Sequence, residues 1–208
     1  MRYNFDGVIF YPVYHSVHDT YKWLQGFIDP EFEYHLSTTR LAARLLMSAG
    51  DKFVLPFDVS KYATALEESL ETLKDNHGAE FRRNNVTLNF IESAIKEFGR
   101  AAAKFKKENE SAMDEKSDIK LRDFNDRMVN VEKAFIYPYG LPNQPYTRHL
   151  VFAPSLNNRY GTTSFPGISD LMFSENKTSE NWEQINREVS VVFKAISEAT
   201  RTLLPDSN

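Results

Sequence analysis

The sequence predicts a mainly α protein, a four-helix bundle preceded by a short α/β segment. Three observations predict it. Four stretches repeat apolar residues at alternating spacings of three and four, the period of a helix face that packs at a shallow angle. Residues 137–173 break that period with five prolines and three glycines, so a long connection divides the third helix from the fourth. The first 56 residues hold one strand-like run and two helix patterns, too few elements to close an α/β layer alone.

Taken in order, residues 8–10 read as a short buried strand that hands over to Tyr11-Pro12-Val13-Tyr14-His15. Ser16 and Asp19 have capping-box spacing for a helix running through Trp23 and Phe27. Pro30 opens a second helix through Leu36, Leu41, Leu45 and Leu46 that ends near Gly50. In the bundle, residues 60–76 place Tyr62, Leu66, Leu70 and Leu73 on one face, with Ser60 positioned to cap the start. Residues 86–107 align Leu88, Ile91, Ile95, Phe98, Ala102 and Phe105. Residues 117–136 align Leu121, Phe124, Met128, Val131 and Phe135. Residues 179–204 align Trp182, Ile185, Val189, Val192, Ile196, Ala199 and Leu203. One such stripe is an ordinary surface helix; four of them make a bundle. The long connection is of a kind that often carries function. It holds Tyr137, Tyr139, Tyr146, Phe152, Tyr160 and Phe165, which are expected to order it by packing on one another, and residues 149–153 read as a strand pairing outside the bundle.

Composition sets the limits. The chain has 208 residues, 41% of them hydrophobic and 13% aromatic, enough for a packed core. With a net charge of −4 and no long basic run, nothing points to a nucleic-acid surface, and no nucleic-acid partner is expected. The absence of cysteine excludes disulfides, thiolate metal sites and cysteine nucleophiles. No apolar run reaches the roughly 18 residues that span a bilayer, so no membrane segment is expected in this chain. Residues 1–10 lack the pattern of a secretion signal, yet sequons stand at Asn85, Asn109 and Asn176. That conflict leads us to expect that the chain is part of something longer.

Among candidate chemical groups His15 stands out, because it sits where a strand passes into a helix start and a side chain there can meet a ligand or metal. The plainer reading is a histidine tucked into a turn. His18 and Asp19 follow closely but straddle the helix start, and His35 and His149 read as lone histidines. A catalytic zinc needs three protein ligands and an open position. No such set, no zincin helix motif, no serine nucleophile signature and no phosphate-binding glycine loop can be assembled here. By its residues alone the chain reads as a helical scaffold.

The segment Tyr11-Pro-Val-Tyr-His-Ser-Val-His-Asp-Thr-Tyr21 closely resembles a signature of the glutamate carboxypeptidase (N-acetylated-alpha-linked acidic dipeptidase) family. Further matches follow in the family's order: Asp29-Pro30 with Tyr34-His35-Leu36, Val54-Leu-Pro-Phe-Asp58, Glu132-Lys-Ala-Phe-Ile136, Gly140-Leu-Pro142, Arg148-His149, Ala153-Pro-Ser155 and Ser164-Phe-Pro-Gly-Ile168. The resemblance covers nearly the whole chain and is weakest between residues 75 and 119. It implies that residues 1–56 are the end of a zinc peptidase domain, and that residues 57–208 form a helical, transferrin-receptor-like dimerisation domain. It further implies that His15 is one ligand of a two-zinc site, and that Tyr14 contacts substrate and helps stabilise the tetrahedral intermediate. Arg159 and Tyr160 align with the pair that holds the carboxylate of a C-terminal glutamate. Arg159 stands where the family has lysine, which keeps the charge and adds a bidentate fork. The other zinc ligands and the glutamate general base have no counterpart, so hydrolysis by this chain alone is not expected. A homodimer and an extracellular or lumenal setting follow from the same resemblance. The alternative is a stand-alone interaction module of transferrin-receptor type, though such a module has no evident need of His15.

Overall fold

The computed structural model describes residues 12–115, 117–157, 165–174 and 177–204, and it divides into two compact units, Met1–Leu55 and Pro56–Asn208. In the first unit α1 (Tyr21–Trp23) opens under Thr20, whose Oγ1 accepts the Trp23 amide at 3.3 Å, and widens into a π-helical turn over Leu24–Ile28. The cap is thus Thr20 and not Ser16, whose hydroxyl donates back to the Val13 carbonyl at 2.8 Å and closes a turn instead.

The second helix, α2 (Glu33–Gly50), starts three residues beyond Pro30. Phe32 takes a left-handed conformation at φ 56°, which breaks any helix begun at the proline. Buried Asp29 then caps α2 from outside: its carboxylate accepts the amides of Tyr34 (3.3 Å) and His35 (3.0 Å) and lies 2.6 Å from His35 Nδ1. Burial alone would raise the Asp29 pKa, but the side-chain and amide hydrogen bonds outweigh it and hold the carboxyl below its ordinary range. The strand expected at 8–10 lies outside the described residues, and the described part of this unit is helix and turn, so no α/β character is seen there.

The second unit contains α3 (Ser60–Arg83), α4 (Asn89–Glu115), α5 (Asp118–Ala134), the short α6 (Pro166–Met172) and α7 (Ser179–Leu203). The α4 helix packs on α3 and α7, α5 packs on α7 and α4, and α6 rests on α7. The stripes read from the sequence form the core: Leu66, Ile91, Phe98, Phe135, Ile185 and Ile196 are sealed from solvent. At the start of α3, Asp58 takes the capping role expected of Ser60. Its Oδ1 accepts the Ser60 amide (3.0 Å) and hydroxyl (2.5 Å), and its Oδ2 meets Lys106 of α4 at 3.2 Å.

At its other end α3 runs seven residues past the expected stop. The expected range ended at Asn76, but Gly78 beyond it is buried and Phe81 continues the apolar stripe. The helix ends instead in a Schellman motif, with Val86 N–H to Phe81 C=O at 2.9 Å and Asn85 N–H to Arg82 C=O at 3.4 Å. Asn85 occupies the left-handed position at φ 56°, where asparagine is the usual substitute for glycine. The α7 helix opens on a reciprocal capping box between Thr178 and Asn181.

One buried charge departs from this economy. Glu188 of α7 is shielded from solvent, its Oε2 has no hydrogen-bond partner, and a Cβ on Gly167 of α6 would stand 3.0 Å from that oxygen. Burial raises its pKa, with Arg187 pulling the other way. A raised folded-state pKa means the native state binds the proton more tightly, so the associated stability is present below the ordinary carboxylate range and is lost as pH rises through the folded value. Glu188→Gln is therefore expected to stabilise the fold by about 1–2 kcal/mol at pH 7. Thermal melts at pH 7 and pH 4 check this, and the gain should shrink at the lower pH.

Candidate functional site

Tyr14 and His15 form the tip of the turn from Val13 to Ser16, closed by the Ser16 amide to the Val13 carbonyl at 3.1 Å. His15 has φ 58°, and such a conformation costs a non-glycine residue about 1–2 kcal/mol. Its exposed imidazole stacks on the Tyr14 ring with centroids 3.8 Å apart. The turn thus displays a hydroxyl and an imidazole side by side toward solvent. His15 thus lies in a turn, as its plainer reading has it, but exposed and not tucked away. Among the described residues no group of three or more His, Cys, Asp or Glu lies close enough to share an ion. Arg159 and Tyr160, with Asn158, lie outside the described residues.

The connection that leads toward them is ordered by its backbone, by buried aliphatic residues and by part of the aromatic set expected to order it: Phe165 is buried, Phe152 packs on Tyr62 and His149, and Tyr137 meets Tyr139 edge-on. Leaving α5, the chain doubles back on itself: Tyr137 N–H meets Arg148 C=O at 2.9 Å, Leu150 N–H meets Phe135 C=O at 2.9 Å, and Ile136 pairs antiparallel with His149. The strand-like run at 149–153 thus finds its partner inside its own unit. At the tip Gly140 has φ 76°, and a Cβ there would collide with the Pro145 backbone at 2.6 Å. Asp170 of α6 gathers the far side, accepting Leu156 N–H at 3.0 Å and Gln144 Nε2–H at 3.2 Å. Leu141, Leu150, Val151, Ala153 and Phe165 are buried, whereas Tyr139 and Tyr146 stand out in solvent. A tyrosine buried without a hydroxyl partner is costly, and aliphatic side chains carry no such demand.

Beside this connection an apolar groove of about 820 Å³ runs between the start of α3 and α5, walled by Phe57, Val59, Tyr62, Met128, Val129 and Phe152. Its rim holds a side-chain cluster that the sequence does not advertise. His149, read as a lone histidine, is mostly buried against Glu132, and Glu132 accepts the Tyr62 hydroxyl. His35, the other histidine read as lone, is the partner of Asp29. Of the sequons, Asn85 is exposed in the Schellman turn, the Asn109 Oδ1 is buried in α4 without a partner, and Asn176 lies outside the described residues.

Residues 86–204 match the family of the transferrin receptor-like dimerisation domain. The chain belongs to that family. The matched span begins at Val86, the residue that closes the Schellman motif, and takes in α4 to α7 of the dimerisation domain. Over 195 residues the chain is 31% identical to "Probable glutamate carboxypeptidase LAMP1" of Arabidopsis thaliana, covering 93% of this chain and 28% of that protein. It is 30% identical over 199 residues to the rat aminopeptidase NAALADL1, covering 94% of this chain and 26% of that protein. It is 31% identical over 145 residues to rat transferrin receptor protein 2, covering 67% and 17% respectively. The chain thus spans about a quarter of the length of the peptidases it matches, and the suspected glutamate carboxypeptidase kinship is shown over most of this chain. No helix among the described residues is long and apolar enough to cross a membrane.

Proposed function

We propose that this chain is the dimerisation region of a glutamate-carboxypeptidase-like zinc peptidase, joined to the closing segment of the peptidase domain, and that it is inactive alone. The main support for the peptidase part is α2. This 18-residue helix has no buried residue, and Leu45, Leu46 and Met47 are 57%, 75% and 65% exposed. A soluble helix normally hides such a stripe. Here the stripe fits against the body of a larger peptidase domain, in keeping with relatives about four times as long.

In that setting His15 would give one nitrogen to a zinc centre completed by residues outside this chain. The Tyr14 hydroxyl would lie against the substrate, and Arg159 with Tyr160 would take the carboxylate of a peptide ending in glutamate or a similar residue. The kinship also favours a homodimer and an extracellular or lumenal address, and the exposed Asn85 suits a glycan there.

The test is the association state together with activity. Sedimentation of the purified chain is expected to give a species of about 48 kDa, twice 24.1 kDa. A monomer at tens of micromolar would overturn the dimerisation reading. Cleavage of N-acetyl-aspartyl-glutamate by the chain with added zinc would overturn its inactivity alone.

A further inference from the structure

A single imidazole fastens the segment that doubles back along α5. His149 Nδ1 accepts two backbone N–H groups, from Val151 at 3.1 Å and from Phe152 at 2.8 Å. A ring nitrogen that accepts hydrogen bonds carries no proton, so the neutral ring holds its proton on Nε2. That Nε2 lies 3.1 Å from Glu132 Oε1 of α5, close enough for a charge contact though off the line of a good hydrogen bond. The other Glu132 oxygen accepts the Tyr62 hydroxyl from α3. The imidazole also stacks on Phe135 (centroids 6.0 Å apart) and tilts against Phe152 (5.4 Å), and Tyr62 lies 5.2 Å from each of those two rings. Two amides, one carboxylate and a set of rings from three elements thus meet on this side chain, which is only 12% exposed.

We infer that His149 is an acid-sensitive pin: in its neutral Nε2–H form it holds residues 148–153 against α3 and α5, and taking up a proton at Nδ1 releases that segment.

The chemistry follows from the free position on the ring. A second proton can go only to Nδ1, where it would point at two N–H donors and turn two attractions into repulsions. Several charged groups face the site. Glu132 favours the cation, but the Tyr62 hydroxyl already satisfies one of its oxygens. Lys61 of α3 and Lys133 of α5 line the adjoining groove and oppose a further positive charge, while Asp58 there is committed to Ser60 and Lys106. Arg148, on the segment itself, is exposed. Burial lowers the His149 pKa, and the pull of Glu132 only partly offsets it. A lowered folded-state value means the pinned state binds the proton less well than the released state. The pin is therefore fully set above the ordinary histidine value of 6.5 and is lost as pH falls below it, through the folded value. Because Phe152 is one wall of the apolar groove, release also opens that groove. None of this depends on the zinc peptidase reading, since every group involved lies in residues 58–152 of this chain.

Hydrogen–deuterium exchange of the whole chain, corrected for the intrinsic pH dependence of exchange, tests the pin. The amides of Val151 and Phe152 are expected to lose protection several-fold, up to about tenfold, between pH 7.5 and pH 5.5, while α4 stays protected. His149→Asn places a carbonyl oxygen near the Nδ1 position and cannot titrate, so its protection should be flat across that range. His149→Ala should expose the same amides at every pH. Wild-type protection that ignores pH would overturn the inference. So would an acid loss in His149→Asn equal to that of wild type, or a loss shared in parallel by α4.

Discussion

Phe98→Ala is expected to cost the second unit about 3–5 kcal/mol of unfolding free energy, the range for deleting a fully enclosed aromatic side chain. Phe98 is sealed from solvent at the middle of α4, the helix that packs on both α3 and α7. The cost depends on whether the neighbours can close the void, and here they have little slack. The next residue, Gly99, already brings α4 so near α3 that a Cβ on it would touch Ala63 Cβ at 3.6 Å. Phe90 on the same helix is the internal control, being 63% exposed and meeting the Phe193 ring edge-on. Its alanine variant should lose under about 1 kcal/mol. Urea unfolding at one fixed protein concentration, needed because association would shift the midpoint, checks both. Equal losses for the two variants would show that the core is not arranged around α4.

Why the bundle could be read from the sequence, and much of the site could not, comes down to the range over which each feature is encoded. Leu88, Ile91, Ile95 and Phe98 announce a buried face because helical periodicity is itself a record of burial. Capping misled where the capping group stood outside the expected position. Asp29 serves α2 from five and six residues upstream, and Asp58 takes the role offered to Ser60. The expected end of α3 at Asn76 leaves out the buried Phe81 beyond it. The seven-residue α6 is too short to show a period at all.

The candidate site divides in the same way. Tyr14 and His15 came forward through a strand-to-helix position and a family resemblance, and the structure adds the strained turn and the ring stacking that no local pattern encodes. His149 looked isolated because its partners are Glu132, seventeen positions back, and the two amides just ahead of it. Backbone donors have no signature in a sequence. The apolar stripe of α2 was legible as a helix, but only the fold shows that nothing in its own described unit buries it.

The end of α7 should depend on a single side chain of α5, with Arg127→Ala costing about 2–4 kcal/mol. Arg127 is 13% exposed although its position beside Asp123 and Asp126 reads as a solvated face. Its Nε donates to the Thr202 carbonyl at 3.3 Å and its Nη2 donates to the Leu203 carbonyl. These belong to the last turn of α7, where carbonyls have no partner within the helix and the helix dipole is negative. The guanidinium also lies over Phe105 at 4.8 Å and near Phe124 at 5.3 Å, so α4, α5 and α7 converge on it. Its ion pair with Asp123, at 3.2 Å, spans one helical turn on the surface and should contribute little. Three variants separate these roles. Arg127→Lys keeps the charge but cannot fork to two carbonyls while stacking on a ring, so it should recover only part of the loss. Asp123→Ala should cost less than about 1 kcal/mol. If Asp123→Ala is as damaging as Arg127→Ala, the anchor is the surface ion pair; if Arg127→Lys matches wild type, charge at the helix end suffices. The ordering Ala, then Lys, then the Asp123 variant in falling cost is what the forked, stacked geometry requires.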